Sequence, residues 1–256
     1  MQGIPANHPR KASLETRERL VSGFREGVVC PQGLIAHGRG EAFDYLLGER
    51  TNPFAVKAIE ASACALLTAE RPVISVNGNV AALCAASVVQ LSSLCGARLE
   101  ANLFYRTQER MKAVKKALFA AGASEVLGGE EDEAIIPELF SERRRVSREG
   151  IYSADVVLVP LEDGDRTTAL KRMGKKVIAI DLNPLSVTAR AADITIVDNV
   201  VRAVPALCAA VKRLRLKERQ ALERILAEYD NERVLGEALE AISSRLNRLA
   251  RGELHG

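Results

Sequence analysis

Five apolar stretches of this chain each run into a cluster of polar side chains. Pro72–Val76 stops at Asn77-Gly78-Asn79, and the stretch opening at Arg98 ends in Tyr105-Arg106-Thr107. Ala154–Leu161 gives way to Glu162-Asp163-Gly164-Asp165-Arg166, Lys176–Ile180 to Asp181-Leu182-Asn183, and Ile194–Val197 to Asp198-Asn199. One polar strand end is an ordinary turn. Five of them bring amides, carboxylates and arginines together, the groups that hold anions and hydroxyls side by side.

Taken singly, each cluster has a functional and a structural reading. Asn77-Gly78-Asn79 leads into a helical pattern, where free backbone N–H groups and the helix dipole suit a phosphate. The same residues also make a strand-to-helix turn with an Asn cap. Asp181 closes an apolar strand, the place where nucleotide-binding α/β proteins present a carboxylate to ribose hydroxyls. Before Pro184 it is equally a cap or turn residue. Glu162, Asp163 and Asp165 offer carboxylates able to hold Mg2+ indirectly or to orient an amine, or they are an acidic turn.

The stretch Gly33–Gly48 sets His37, Arg39, Glu41 and Asp44 among apolar residues, with Gly38 and Gly40 flanking the arginine. Glycines let a backbone approach a ligand, and Arg39 between them can grip a phosphate with two N–H arms. The alternative is an ion pair of Arg39 with Glu41 or Asp44 that fixes a helix start. Arg17 reads by spacing as a surface residue of the first helix.

Positioning these groups requires a regular frame. Leu14, Leu20, Val21 and Phe24 recur at helical spacing up to Gly27, a second segment follows Gly33, and a third runs from Asn52 to Glu70 with Pro53 in its first turn. From Arg71 the pattern alternates. Strands are predicted at Pro72–Val76, Arg98–Tyr105, Glu125–Leu127, Ala154–Leu161, Lys176–Asp181 and Ile194–Asp198. Helices are predicted at Val80–Leu94, Glu109–Ala121, Arg166–Met173 and Val200–Leu214. Strands that are apolar throughout need a parallel sheet covered on both faces. The expected fold is therefore α/β, a three-layer doubly wound, mostly parallel sheet of Rossmann-like type with extra N-terminal and C-terminal helices.

Residues 1–256 read as one domain, with N-terminal helices over 1–70, the core over 71–214 and C-terminal helices over 215–256. The polar insert Gly129–Gly150, with Arg143-Arg144-Arg145, reads as a solvated excursion. Past Asp230-Asn231, Leu235, Leu239, Ile242, Leu246 and Leu249 form a heptad-like seam that favours a homodimer.

Composition narrows the function. A net charge of +3 and 4% aromatic residues give neither the electrostatic footprint nor the stacking platform of a nucleic-acid binder. With 47% hydrophobic and 27% charged residues the chain is no disordered segment. The N-terminal stretch lacks a signal-peptide core, and no run approaches the ~20 apolar residues of a membrane span. A cytoplasmic protein without membrane contacts is expected. Cys30, Cys64, Cys84, Cys95 and Cys208 form no CxxC, and the histidines are His8, His37 and His255. No protein metal site is expected, and the thiols read as small buried hydrophobes. Neither GxxxxGK[ST] nor a GxGxxG after a strand is present, so a nucleotide would bind here by another arrangement.

Beyond these readings, GLIAHGRGEAFDYLLG at Gly33–Gly48, SVNGN at Ser75–Asn79, NLFYRT at Asn102–Thr107, VPLEDGDRT at Val159–Thr167 and IDLNPLSVTARAADITIVDN at Ile180–Asn199 resemble the archaeal phosphopantothenate synthetases, or 4-phosphopantoate–β-alanine ligases. The resemblance runs from near residue 5 to the last helix, and is weakest in Ala123–Gly150 and beyond Leu216. It implies an ATP-dependent amide-forming ligase of coenzyme A biosynthesis. Such an enzyme joins 4-phosphopantoate to β-alanine through an acyl-adenylate, releasing AMP and diphosphate, with ATP as co-substrate and Mg2+ travelling on its phosphates.

The ATP positions carried over from the resemblance are Arg17, Arg39, Asp181, Leu182 and Asn183, followed by Val187, Thr188, Asn199 and Val200. To these we add Asn79, Arg106 and Arg166 for the phosphate of phosphopantoate or for pyrophosphate, and Asp163 or Asp165 for the β-alanine ammonium. Arg39, Asp163, Asp165 and Arg166 are thereby the candidate catalytic residues. Two other classes are compatible with the pattern: a non-catalytic nucleotide-binding regulatory module, and a dinucleotide-dependent oxidoreductase, against which the missing glycine fingerprint counts.

Overall fold

The computed structural model describes Ile4 to Glu253 apart from Ala6 and Pro9, so His255 lies outside the described residues. Three helices come first: α1 (Lys11–Arg25), α2 (Pro31–Leu47) and α3 (Pro53–Thr68). Prolines at the first turns of α2 and α3 suit positions whose N–H has no helical partner. Then follow β1 (Pro72–Val76), α4 (Gly78–Cys95), β2 (Arg98–Ala101) and α5 (Gln108–Ala120). A small pair, β3 (Glu133–Ile135) and β4 (Arg145–Ser147), precedes β5 (Val156–Pro160), α6 (Gly164–Arg172) and β6 (Lys176–Ile180). The chain closes with α7 (Val187–Ala191), β7 (Ile194–Ile196), α8 (Val200–Leu214), α9 (Arg219–Ala227) and α10 (Asn231–Ala250).

The main sheet has the order β2-β1-β5-β6-β7 and all its pairings are parallel. Alternation sends Ile74, Leu158, Ile178 and Ile194 to one face and Val73, Val157 and Val177 to the other. The first face is covered by helices, chiefly α3, α4 and α8, and carries the larger core. Over the second face lie α6 and, in place of a helix, the β3–β4 pair with Ala134, Ile136, Val146 and Ile151. The doubly wound expectation therefore holds in order and direction, but a small antiparallel hairpin does the work of one covering helix.

Three sequence expectations change. The Arg98 strand ends at Ala101, and Asn102–Tyr105 continue as loop. Glu125–Leu127 makes a single parallel bridge, Leu127 to Glu100, and no strand. The insert is ordered and paired rather than a solvated excursion, with Glu133 opposite Ser147 and Ile135 opposite Arg145.

Helix α4 is long and apolar enough to cross a membrane by length and composition. Here it packs against α8, α5 and α1, burying Val80, Leu83, Val88 and Leu91. Cys64, Cys84 and Cys208 are buried, and burial pushes the Cys84 thiol up to about 12 and the other two to about 11, so they act as packing groups. Helix α10 is capped by Asp230, whose side chain accepts from the Arg233 N–H. Of its seam, Leu235 is buried whereas Leu239, Leu246 and Leu249 are exposed.

Candidate active site

The sheet order reverses between β1 and β5: from β1 the chain moves outward to β2, then returns to β5 and proceeds to β6 and β7. Strand ends diverge at such a point and leave a crevice at their carboxyl side. The structure has a cleft of about 610 Å³ there, lined by residues that follow β1, β2, β5, β6 and β7 and by one face of α2. Helices α4, α6 and α8 begin at this rim, so their positive ends add to its attraction for anions.

At the β1 end, Asn77 caps α4 by accepting from the Val80 N–H at 3.1 Å. Its amide nitrogen donates to the Pro160 and Leu161 carbonyls at 3.0 and 3.1 Å, which ties β1 to β5. Leu161 is held in the left-handed region, φ 55°, an uncommon state for a branched side chain that the Asn77 bond helps to fix. Gly78 has no room for a side chain, since a Cβ would lie 2.2 Å from the Val28 carbonyl oxygen. Asn79 lines the cleft and donates to the Gly33 carbonyl at 2.8 Å.

At the β6–β7 end, Asp181 accepts from the Asn183 N–H at 2.9 Å and the Ser186 hydroxyl at 2.5 Å. Burial raises its pKa, and the positive charge of Arg39 works against that rise. Leu182, Asn183, Val187 and Thr188 line the same wall. Asn199 caps α8 by accepting from the Val201 N–H, and donates to Asp44 of α2 at 2.8 Å. Val200 follows it in the wall.

Helix α2 forms the facing wall and explains how its charges are shared. Glu41 pairs with Arg17 at 3.0 Å and accepts from Ser13, while Asp44 pairs with Arg202. Neither serves Arg39, which makes no ion pair with any described residue and lines the cleft, exposed. The ion-pair reading of Arg39 therefore fails, and its guanidinium is left facing the cleft. Beside it, the space at Gly40 is open, with nothing within 4 Å of a Cβ position. His37 also lines the cleft, and burial lowers its pKa, with the charges of Glu41 and Asp44 working against the fall.

Four sequence-derived candidates do not reach the cleft. Arg17 is held on α1 by Glu41 and the Tyr45 hydroxyl, one helix face away, although its charge is felt at His37. Arg106 turns back to donate to the Gly128 carbonyl at 3.2 Å. Asp165 is exposed and accepts from the Arg166 backbone N–H at 2.8 Å. Arg166 is wholly buried beneath the site, bonded to Ser75 Oγ at 3.1 Å and to Glu162. Asp163, by contrast, lines the cleft, half-buried.

Two arginines outside the sequence-derived candidates do reach it, one of them, Arg143, read from the sequence as part of a solvated excursion. Arg110, in the first turn of α5, donates to the Tyr105 carbonyl and to the Val28 carbonyl and makes no ion pair with a described residue. A cation in a first helical turn opposes the dipole, and that was the available signal. Arg143 comes from the insert, is 7% exposed, and meets Glu162 and Asp163. Burial lowers its pKa to about 10, with Asp163 opposing and the neighbouring Arg166 adding to the fall. Among the described residues no three His, Cys, Asp or Glu side chains converge as metal ligands. Glu162 and Asp163 face arginines instead, so this donor set does not fit a resident Mg2+.

A parallel α/β sheet with a cleft at its switch point, lined by arginines, amides and carboxylates, defines the class of open α/β proteins that bind ligands at the carboxyl ends of their strands. Comparison with known proteins gives the family. A model described as phosphopantothenate/pantothenate synthetase matches residues 54–245, and the chain belongs to that family. A 4-phosphopantoate–beta-alanine ligase of Thermococcus onnurineus is 52% identical over 252 residues, covering 98% of this chain and 97% of that protein. One of Methanosarcina mazei is 50% identical over 250 residues, covering 98% of each.

Proposed function

We propose that this chain is an ATP-dependent ligase that condenses 4-phosphopantoate with β-alanine to 4'-phosphopantothenate, AMP and diphosphate in coenzyme A biosynthesis. The observation that supports this reading is that one cleft is lined both by Asp181, Asn183, Thr188 and Asn199 and by Arg39, Arg110 and Arg143. A carboxylate becomes a competent electrophile only when given a good leaving group, so the acid and ATP have to be held in line and away from water. Asp181 and Asn183 fit the ribose and base, and Thr188, Asn199 and the backbone at Leu182, Val187 and Val200 complete that wall. Arg39 faces the triphosphate, with Arg17 contributing charge from the outer rim. Asp163 is the carboxylate suited to the β-alanine ammonium; Asp165 lies outside the cleft lining. Mg2+ is proposed to arrive and leave on the ATP phosphates.

We further propose that residues 1–256 act as one unit and that the chain works in the cytoplasm as a homodimer. The exposed Leu239, Leu246 and Leu249 on α10 support the last point, and light scattering at micromolar concentration tests it.

The deciding experiment is AMP release with ATP, Mg2+ and 4-phosphopantoate, with and without β-alanine, and with plain pantoate in parallel. AMP and phosphopantothenate formed together only from the phosphorylated acid and β-alanine are expected. ADP in place of AMP would replace adenylation by an acyl-phosphate route. ATP binding with no turnover would leave a regulatory nucleotide module as the reading.

A further inference from the structure

Arg143 is a buried cation without a full set of partners. Its side chain meets Glu162, but Glu162 is shared with the buried Arg166, and Asp163 lies 3.4 Å from Arg143 Nε without the alignment of a hydrogen bond. Arg143 and Arg166 between them leave several guanidinium nitrogens unbonded. Two guanidiniums thus share one buried carboxylate and one half-buried one, with Arg143 Nε and two Arg166 nitrogens left without a hydrogen-bond acceptor, and buried donors of this kind call for a further acceptor. Arg143 lies in the cleft wall, so that acceptor can come from solution.

Its position is built rather than accidental. Asn102, directly after β2, donates to the Arg143 and Arg145 carbonyls at 3.3 and 3.0 Å. The buried Glu100 of β2 accepts the Ser147 and Ile151 backbone N–H groups at 3.0 and 2.7 Å, which anchors the other side of the insert. The Arg143 backbone is therefore fixed at the end of β2 while its guanidinium meets the residues after β5. Strand β1 lies between them in the sheet, so the side chain spans the mouth where Asn77 and Gly78 open α4. The same cleft is lined by Arg110, whose Nη2 lies 3.0 Å from the Gly78 Cβ position and whose Nε is buried without a partner.

Resting on the ligase reading above, we propose that Arg143 and Arg110, with the first N–H groups of α4, bind the phosphoryl group of the acid substrate and set the preference for 4-phosphopantoate over pantoate. The nucleotide wall at β6–β7 is separate from this clamp, so the two functions divide along the sheet. A phosphoryl dianion is met by two forked guanidiniums and a helix N-terminus, a recognition that an unphosphorylated hydroxyl cannot use.

The test compares wild type, Arg143→Lys and Arg110→Gln in steady-state kinetics with 4-phosphopantoate, pantoate and ATP varied in turn. Calorimetric titration of both acids runs in the absence of ATP. Each variant is expected to raise KM and Kd for 4-phosphopantoate by roughly tenfold or more, the size of one charge-assisted hydrogen bond, to leave KM for ATP within about twofold, and to narrow the preference over pantoate. Unchanged 4-phosphopantoate binding in both variants, an equal rise in the KM for ATP, or an unchanged preference would each overturn the proposal. Should Arg143→Lys fail to fold, Arg110→Gln, on a different element, decides alone by the same criteria. Wild type that binds 4-phosphopantoate tightly but releases neither AMP nor ADP would sink the ligase reading and leave the phosphoryl site standing.

Discussion

Asn79 and Gly33 close the cleft between the sheet and α2: the Asn79 amide donates to the Gly33 carbonyl, and a Cβ at position 33 would lie 2.4 Å from Asn79 Oδ1. The absence of a side chain at one residue thus fixes the amide of the other at the first turn of α4.

Gly33→Ala displaces only the end of a side chain. We expect a fall in kcat/KM of roughly tenfold, one lost positioning interaction, with a melting temperature close to wild type. Gly78→Ala makes its Cβ meet backbone instead, the Val28 carbonyl at 2.2 Å. That variant should lose about 1–3 kcal/mol of stability, the usual cost of overpacking. Thermal unfolding of the two proteins distinguishes the cases.

Asp181→Asn keeps the shape of the nucleotide wall but not its charge. The oxygen that remains can serve either Ser186 or the Asn183 N–H and not both. ATP affinity should weaken about tenfold, as for a lost charge-assisted bond, with affinity for the acid substrate unchanged. Equilibrium titration with each ligand reads this directly.

Arg202 neutralises two buried carboxylates, Asp44 and Asp198, which are 4% and 1% exposed. Arg202→Ala leaves both without a cation and should destabilise the chain by about 3 kcal/mol or more. Because Asn199 hangs on the same Asp44, its capping of α8 should loosen as well. Denaturant unfolding measures the first effect, and the KM for ATP reports the second.

Glu100 gives a dependence on pH with a defined sign. Burial raises its pKa from the ordinary value near 4.5 to about 7, with the Ile151 and Ser147 N–H groups and the charges of Arg166 and Arg106 working the other way. The folded state therefore holds a proton that the unfolded chain has released, and Glu100 loses stabilising effect as pH rises from 4.5 through 7. The interval corresponds to roughly 3 kcal/mol. Glu100→Gln removes this titration, so the stability of wild type relative to the variant should decrease across that range. A difference flat in pH would show that Glu100 is ionised throughout.

Much of this was readable before the fold was known, and particular residues show where reading stopped. Apolar strands with polar ends placed Asn79, Asp163, Asp181 and Asn199 correctly at the rim, because strand ends on one side of a parallel sheet share an edge. Arg166 was misplaced although its burial was written in the helix: Arg166, Ala169, Leu170 and Met173 fall at i, i+3, i+4 and i+7, the inward stripe of α6. Its neighbour Asp165 lies off that stripe and is exposed. Arg143 could not be told from Arg144 and Arg145 by type. Arg145 is drawn off by Glu133, while Arg143 is turned inward by a hairpin whose strands have three residues each, too few to leave a periodic signal. What the sequence cannot carry locally is a side chain delivered by one segment to another far along the chain.

The hairpin that replaces a helix over one face of the sheet makes the two ends of the cleft heritable as separate parts. The wall proposed to hold the nucleotide is built from the continuous run β6–α7–β7–α8, whereas Arg143 comes from a stretch fastened at Glu100 and Asn102. On the proposed assignment of Arg143, changes of length or composition in that stretch alter which acid is accepted while ATP handling stays intact. A lineage of such enzymes can therefore explore new acids by editing one surface segment, and a designer can graft that segment between relatives as a cassette.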